Sequence, residues 1–130
     1  MKCFVSGRSS NFSEIVRVTQ LLRGAGHEIT HDWTTLPMVK PYQDNADQAG
    51  EYAVLQIRGI AEADVYIILA HEDGTGLFAE LGAALALAQF HGKPSIYAVA
   101  PVIPAAMFHY HPAIRWFTSV EEVMVAIGQS

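Results

Sequence analysis

The chain has 130 residues, of which 51% are hydrophobic and 16% are charged, and its formal net charge is -5. This length suits one domain with one core, so we expect a single domain over residues 1–130. The negative charge and the scattered basic residues argue against polymeric nucleic acid as a partner, because its binding depends on phosphate neutralisation. No apolar run is long enough to cross a bilayer, and MKCFVSGRSS lacks the apolar stretch of a signal peptide, so we expect no membrane partner.

The chain contains a single cysteine, Cys3. It lies in the first apolar run, where a free thiol is usually a small buried side chain. One cysteine cannot form an internal disulfide, which fits a reducing compartment. We therefore expect a cytoplasmic protein.

The first half of the chain alternates between strand and helix patterns. CFVSG predicts a strand, and the helical spacing of apolar residues in NFSEIVRVTQLLRGAGH predicts a helix, with Asn11 and Glu14 as its capping pair. HEITHDW predicts a second strand. After a proline-containing loop, a second helix is predicted from about Ala46 to Ala61. Its expected buried face consists of Ala46, Ala49, Ala53, Ile57 and Ile60.

The second half continues the alternation. DVYIILA is almost continuously apolar, which is typical of a parallel strand buried on both faces. An alanine- and leucine-rich helix containing Glu80 follows, and then the strand KPSIYAVA. AIRWF is a weak fifth strand, and Ser119 with Glu122 predicts a capping box for a last helix, VEEVMVAIG.

This alternation predicts an α/β, flavodoxin-like three-layer sandwich with a five-stranded parallel sheet in the order 2-1-3-4-5. In that topology ligands bind beyond the carboxyl ends of the strands, at the switch point between strands one and three. Two polar loops flank this crevice: SGRSSN after strand one, and HEDGTG, with Gly74 and Gly76, after strand three.

The loop SGRSSN has the groups that suit one phosphate or a sugar hydroxyl. Gly7 allows close backbone approach, the Arg8 guanidinium brings charge, and Asn11 leads into the amides of the first helix. Hydroxyls come from Ser6, Ser9 and Ser10. The alternative is an ordinary loop with serine caps, since short motifs often match by chance. The loop lacks the full dinucleotide fingerprint and the P-loop lysine.

Glu80 is the single carboxylate of the third helix, and we place it in the opening turn, pointing to the crevice. Leu81, Ala84, Leu85 and Ala88 supply the packing face. One interpretation is that its charge only complements the helix macrodipole. The other is that it stays ionised near the helix-terminal amides and attacks a glycosidic carbon.

Other candidates come from the strand ends and the histidines. HDWT ends strand two on the crevice side, so Asp32 can bond a base and Trp33 can either stack on it or pack in the core. Asp64 lies at the opposite end and is interpreted as structural. His109 and His111 have no third ligand at a recognisable spacing, so we expect exposed loop histidines and no metal site. Their neighbours Phe108, Tyr110 and Pro112 suit a subunit interface.

Four stretches together resemble the nucleoside 2-deoxyribosyltransferase-like family, which includes the deoxynucleoside 5′-monophosphate N-glycosidases. They are CFVSGRSS, LLRGAGHEITHDWT, GIAEADVYIIL and GLFAELGAALALAQFHGKPSIYAV. The resemblance implies that Glu80 is the nucleophile that expels the base, and that the loop from Ser6 to Asn11 holds the sugar or its phosphate. It also implies a nucleoside or nucleotide substrate, no cofactor, and a homodimer or higher homo-oligomer.

One position departs from the family pattern. Many members have an aspartate eight residues before the AD dipeptide, where this chain has Gln56. Glutamine cannot transfer protons, although its amide can bond a ribose hydroxyl or a base edge. Gln48, Tyr52 and Gln56 share one helix flank by their spacing, and the alternative is that Gln56 is simply exposed.

Three functions remain open from the sequence. The first is an enzyme that cleaves or transfers the N-glycosidic bond of a nucleoside or nucleoside monophosphate. The second is a nucleotide-binding sensor of the same fold that does not turn its ligand over. The third is a relative of TIR-type NADases, which also look flavodoxin-like and depend on a glutamate.

Overall fold

A five-stranded parallel sheet in the order 2-1-3-4-5 forms the centre of the computed structural model, which describes residues 1–128. The prediction of fold class and strand order is therefore confirmed. The strands are β1 (Lys2–Ser6), β2 (Glu28–Ile29), β3 (Val65–Leu69), β4 (Ser95–Val99) and β5 (Ile114–Phe117). All five residues of β3 are buried, as its continuous apolar sequence predicts for a central parallel strand.

Two apolar cores lie on the two faces of this sheet. The helices are α1 (Phe12–Gly24), α2 (Ala46–Glu62), α3 (Thr75–His91) and α4 (Val120–Gly128). Residues of α1 and α4 pack on one face with Cys3, Val5 and Ile67, and residues of α2 and α3 pack on the other with Phe4, Tyr66 and Ile68. Alternate residues of one strand thus belong to different cores, as the strand period of two requires.

The strand predicted over HEITHDW is much shorter in the structure, because β2 has only two residues. Asp32 ends it by accepting a hydrogen bond from the Thr34 amide, at 3.1 Å, which begins a short 3-10 helix over Trp33–Thr35. The predicted capping pair of α1 is also wrong. Asn11 makes no side-chain cap bond, and Glu14 instead binds Arg17 at 2.6 Å.

The predicted buried face of α2 is confirmed at Ile60 and wrong at Ala46, Ala53 and Ile57. Ala46 and Ala53 are exposed and Ile57 is 48% exposed, whereas Gly59 and Ile60 are buried. A Cβ atom on Gly59 would lie 2.9 Å from the Phe4 ring, so the helix backbone sits directly on β1 at this glycine. The periodicity of apolar side chains assigns no weight to glycine, which explains the error.

The two histidines of the loop before β5 differ in burial. His109 is 2% exposed, with its ring against Phe78 and Trp116, so the expectation of an exposed histidine is wrong there. His111 bonds Gln89 at 2.9 Å. No helix within residues 1–128 combines the length and the apolar character that a membrane span needs.

The last helix and the cysteine agree with the sequence. The Glu122 amide donates to Ser119 Oγ at 3.2 Å, which confirms the cap at the start of α4. Cys3 is fully buried, and burial raises the pKa of its thiol to about 11. The thiol is therefore a packing group of the core.

Candidate active site

Glu80 lies on α3, which begins beyond the carboxyl end of β3. The chain enters this helix through Gly74, whose φ of 106° is a conformation that favours glycine. The sequence analysis placed Glu80 in the opening turn of this helix. Because α3 starts at Thr75, Glu80 in fact belongs to the second turn. The influence of the macrodipole falls off within the first turn, so the dipole interpretation of Glu80 is weakened.

The partner of Glu80 is Ser6, the last residue of β1. Ser6 Oγ donates to Glu80 Oε2 at 3.2 Å, and the Ser6 side chain is fully buried. The second oxygen, Oε1, accepts no hydrogen bond from residues 1–128. The contact joins two elements 74 residues apart in the sequence, at the switch point between β1 and β3.

Burial controls the protonation of Glu80. It raises the pKa of the carboxyl group to about 7, and the hydrogen bond from Ser6 opposes part of this rise. The expectation of an ordinary ionised carboxylate at a helix end was therefore incomplete, because the carboxyl group is partly buried between helix and sheet. Near neutral pH this group exchanges between its acid and its carboxylate form, as acid–base and nucleophilic groups in active sites do.

A tyrosine hydroxyl completes the buried polar cluster. Tyr66 in β3 is fully buried, and its ring stacks on Phe4 with centroids 6.1 Å apart. Its pKa is raised by burial and by the nearby Glu80 carboxylate, while the Ser6 hydroxyl beside it acts in the opposite direction. Within residues 1–128 the phenol makes no hydrogen bond of acceptable geometry, despite this proximity to Ser6.

Arg8 connects the two loops that flank the crevice. Its Nη1 lies 3.3 Å from His71 Nδ1, and a Cβ atom on Gly74 would be 3.3 Å from Arg8 Cγ. His71 Nδ1 also accepts from the Asp73 amide at 3.0 Å, so this nitrogen is an acceptor and Arg8 donates to it. Within residues 1–128, Arg8 has no carboxylate within salt-bridge distance, which leaves its charge free for an anion.

An open cavity of about 200 Å³ lies beside Arg8 at the start of α1. It is lined by Arg8, Ser10, Asn11, Leu69, Ala70 and His71. Ser9 and Ser10 belong to a short 3-10 helix over Ser9–Asn11 and are exposed. The structure thus brings half of the predicted anion loop, Arg8, Ser10 and Asn11, to one cavity that Glu80 does not line. Arg8 links this cavity to the start of the helix that carries Glu80.

The three glycines of the predicted site have different environments. A Cβ atom on Gly7 would lie 2.8 Å from Ile15 Cδ1, so the close approach at Gly7 is to α1. Gly74 provides the turn into α3 and space for Arg8. Gly76 is exposed, with open space around it.

Asp32 and Trp33 are already engaged within the fold. Asp32 binds Arg23 at 3.0 Å and accepts from Thr34, and these contacts lower its pKa although burial opposes them. Trp33 Nε1 donates to the Val5 carbonyl at 2.9 Å, and its ring packs against both cores. Core packing therefore accounts for Trp33, and a contact with a base stays a prediction for both residues.

Gln56 is partly buried, and its Oε1 atom is buried without a hydrogen-bond partner. Gln48 bonds Tyr52 at 3.3 Å on the same helix, so the expected polar flank exists next to it. His31, which contacts α2 at Gly59, also has a buried nitrogen, Nε2, without a partner, and burial lowers its pKa. Among the described residues, two buried polar atoms thus remain without a partner at α2, which is rare in natural proteins.

Sequence reasoning missed Tyr66, His71 and His31. A tyrosine inside the continuous apolar run VYIIL was the available signal for Tyr66, because phenylalanine would satisfy packing alone. His71 directly follows β3, at the edge where ligands bind in this topology. Within residues 1–128, no group of three or more His, Cys, Asp or Glu side chains is arranged to hold a metal ion.

A solved structure with the same fold is that of a CMP N-glycosidase, BcmB, from Clostridium botulinum. The two chains are 17% identical and align over 100% of each, with a TM-score of 0.60. No protein-family model matches the sequence, and a comparison with curated proteins finds no match either. The chain therefore shares its α/β fold with a nucleotide N-glycosidase, which supports the fold-level part of the resemblance noted in the sequence.

Proposed function

We propose that this protein cleaves the N-glycosidic bond of a nucleoside or nucleoside 5′-monophosphate, with Glu80 as the nucleophile. The observation that carries the proposal is the contact between Glu80 and Ser6 at the switch point of the sheet, where the partly buried carboxyl group has a pKa of about 7. The fold shared with a CMP N-glycosidase supports the same class of reaction.

The chemistry follows from a carboxylate with one free oxygen. Glu80 Oε1 attacks C1′ of the sugar while the bond from C1′ to the base nitrogen breaks, and the base leaves with the electron pair and takes up a proton. The product is a glycosyl ester of Glu80 and the free base. A water molecule, or a second base in a transfer reaction, then attacks C1′ and releases Glu80 as a carboxylate. No cofactor is needed for either step.

The remaining site residues have binding functions in this proposal. Arg8 would hold a 5′-phosphate in the cavity at the start of α1, together with Ser10 and Asn11. The amide of Gln56, whose Oε1 atom is buried, would bond a sugar hydroxyl or an amino group of the base once its side chain turns toward the ligand. Because Gln56 cannot transfer protons, a sensor that binds without turnover is the second candidate function.

A homo-oligomer is also part of the proposal. From Gly76 to Ala88, helix α3 is apolar except for Glu80, and its outer face exposes Ala79, Gly82 and Ala86 next to Phe90, which is 75% exposed. A helix that is apolar all round is normally covered. A second copy packed on this face would cover it, and light scattering would then give a mass of at least twice the chain mass of 14.2 kDa.

The test is release of a free base. The protein is incubated with nucleosides, 5′-monophosphates including CMP, and NAD, and the bases are separated by chromatography. We expect release by the natural protein, a loss of about 10³-fold or more in Glu80→Gln, and unchanged release in Glu72→Gln. Glu72 is a suitable control because it is an exposed carboxylate in the loop before the same helix.

Each other outcome distinguishes a different function. Thermal stabilisation by a nucleotide without base release favours the sensor, and nicotinamide released from NAD alone favours the NADase relative. A large gain in rate in Gln56→Asp would mean that the natural protein is weakened by its glutamine. If none of these ligands releases a free base and none stabilises the protein, all three functions are excluded.

A further inference from the structure

Tyr66 is a buried group for which neither packing nor the proposed mechanism accounts. It is fully buried in the central strand β3, with its ring parallel to Phe4 within 8°. A phenylalanine would make the same stack. A buried hydroxyl without a hydrogen bond carries an uncompensated desolvation cost, so the tyrosine oxygen destabilises the fold unless it acquires a partner.

The candidate partner is the Ser6 hydroxyl. Phe4 pairs with Tyr66 in the parallel register of β1 and β3, and Ser6 lies two residues after Phe4 on the same face of the sheet. A serine hydroxyl has one donor and two acceptor positions. Ser6 uses its donor on Glu80 Oε2, so both acceptor positions remain for the phenol.

We propose that Tyr66 is a positioning residue that donates to Ser6 Oγ in solution and thereby directs the Ser6 proton to Glu80. The chain of hydrogen bonds then runs from Tyr66 to Ser6 to Glu80. Each bond polarises the next, so the bond to the carboxylate becomes stronger and the carboxylate becomes the favoured form. The chain also orients the side chain so that Oε2 is held and Oε1 faces the reacting carbon. No proton is transferred in this arrangement.

Other charges near Glu80 do not explain its protonation. Burial and the Ser6 hydroxyl are the two influences on its pKa. The loop groups Glu72, Asp73 and His71 are exposed, and Arg8 is only partly buried. The imidazoles of His31, against α2, and His109, against Phe78 of α3, have pKa values lowered by burial, and neither is among the groups that shift the pKa of Glu80. Because Ser6 is the polar group that contacts Glu80 within residues 1–128, the buried hydroxyl of Tyr66 can adjust Glu80 through Ser6.

The test compares Tyr66→Phe with Tyr97→Phe, because both remove one buried hydroxyl from neighbouring strands. Protein labelled with ¹³C at glutamate carboxyl carbons is titrated by NMR, and the Glu80 signal is assigned from its absence in Glu80→Gln. We expect Tyr66→Phe to raise the pKa of Glu80 by about one pH unit and Tyr97→Phe to leave it unchanged. An unchanged or lowered pKa of Glu80 in folded Tyr66→Phe would overturn the proposal.

A second variant tests the route through the serine. Ser6→Ala should raise the pKa of Glu80 by itself, and adding Tyr66→Phe to it should have no further effect. Equal and additive effects would mean that Tyr66 acts on Glu80 directly, which contradicts the proposal. Thermal unfolding of each variant establishes that it is folded.

The inference rests on Glu80 as the reacting carboxylate, yet its failure is distinguishable from failure of the proposed function. The NMR titration requires no turnover. Where base is released, the acid limb of the pH–rate profile should move upward in Tyr66→Phe, with about tenfold less activity at pH 6 and a similar plateau at high pH. Release that depends on Glu80 but is unaffected by Tyr66→Phe would overturn this inference alone.

Discussion

Two buried tyrosines in adjacent strands differ in the hydrogen bonding of their hydroxyl groups. Tyr97 in β4 is 3% exposed, and Arg115 Nη1 donates to its oxygen at 3.3 Å while the guanidinium stacks over the ring. Tyr66 in β3 is fully buried, and its oxygen has no hydrogen-bond partner in the part of the chain that the structure describes. The first belongs to the core under α1 and α4, and the second to the core under α2 and α3.

The difference separates a face built for stability from a face that carries the candidate site. On the α2 and α3 side, Ser6, Tyr66 and Glu80 place three polar groups inside or beside an apolar core. Incomplete satisfaction of buried polar groups destabilises a fold, and proteins tolerate it mainly at functional sites. The contrast predicts that mutations on the two faces will differ in their pH dependence.

The largest expected effect on stability comes from the apolar face. Ile67→Ala removes a fully buried side chain from the core under α1 and should cost about 2–5 kcal/mol of unfolding free energy. Because this core involves no titrating group of the site, the loss should be the same at pH 5 and pH 8. Urea unfolding at both values measures it, and a loss that changes with pH would break the distinction between the faces.

On the face of the sheet under α2 and α3, neutralising Glu80 should raise the stability by an amount that depends on pH. Its pKa is about 7 in the folded protein against 4.5 as the ordinary value, so between these values the folded state binds more protons than the unfolded state. The stability that this group contributes therefore falls as pH rises through this window. Glu80→Gln should be about 2–3 kcal/mol more stable than the natural protein at pH 8 and nearly equal to it at pH 4.

The same urea experiment provides the control for Glu80→Gln. Glu72→Gln replaces an exposed carboxylate and should leave the unfolding free energy nearly unchanged at both pH values. A Glu80→Gln variant that is less stable at pH 8 than the natural protein would mean that the buried charge is fully compensated in the fold.

The smallest predicted effect concerns Arg8, beside the cavity at the start of α1. If its free guanidinium binds a 5′-phosphate, Arg8→Gln should lower kcat/KM for a nucleoside monophosphate by about tenfold and barely change it for the nucleoside. Arg58→Gln on the exposed surface of α2 is the matched control. Equal losses for both substrates would place Arg8 in loop structure and not in phosphate binding.

The sequence predicted the fold well because strand and helix periods determine it directly. The continuous apolar run in β3, the alternation of elements and the cap at Ser119 all follow local rules, and each agrees with the structure. The errors fall where tertiary contacts decide. The close approach of Gly59 to Phe4 decides which side of α2 is buried. The hydrogen bond from Thr34 to Asp32 belongs to a 3-10 turn that follows the two-residue strand β2.

The candidate site was only partly predictable for the same reason. Loop composition indicated Arg8 and the serines, and the resemblance indicated Glu80. The pairing of Glu80 with Ser6, however, joins residues distant in sequence, and the open phenol of Tyr66 depends on what surrounds it in three dimensions. Burial also set the protonation of Glu80, which no local pattern reveals.

The most direct test of the account is to trap the intermediate on Glu80. The protein is mixed with a substrate found in the base-release assay, quenched in acid on a millisecond timescale, digested and examined by mass spectrometry. We predict a glycosyl ester on the peptide covering residues 75–91, located at Glu80 and absent from Glu80→Gln. Base release at an undiminished rate by Glu80→Gln, or a glycosyl ester on a different residue, would contradict the assignment of Glu80 as the nucleophile.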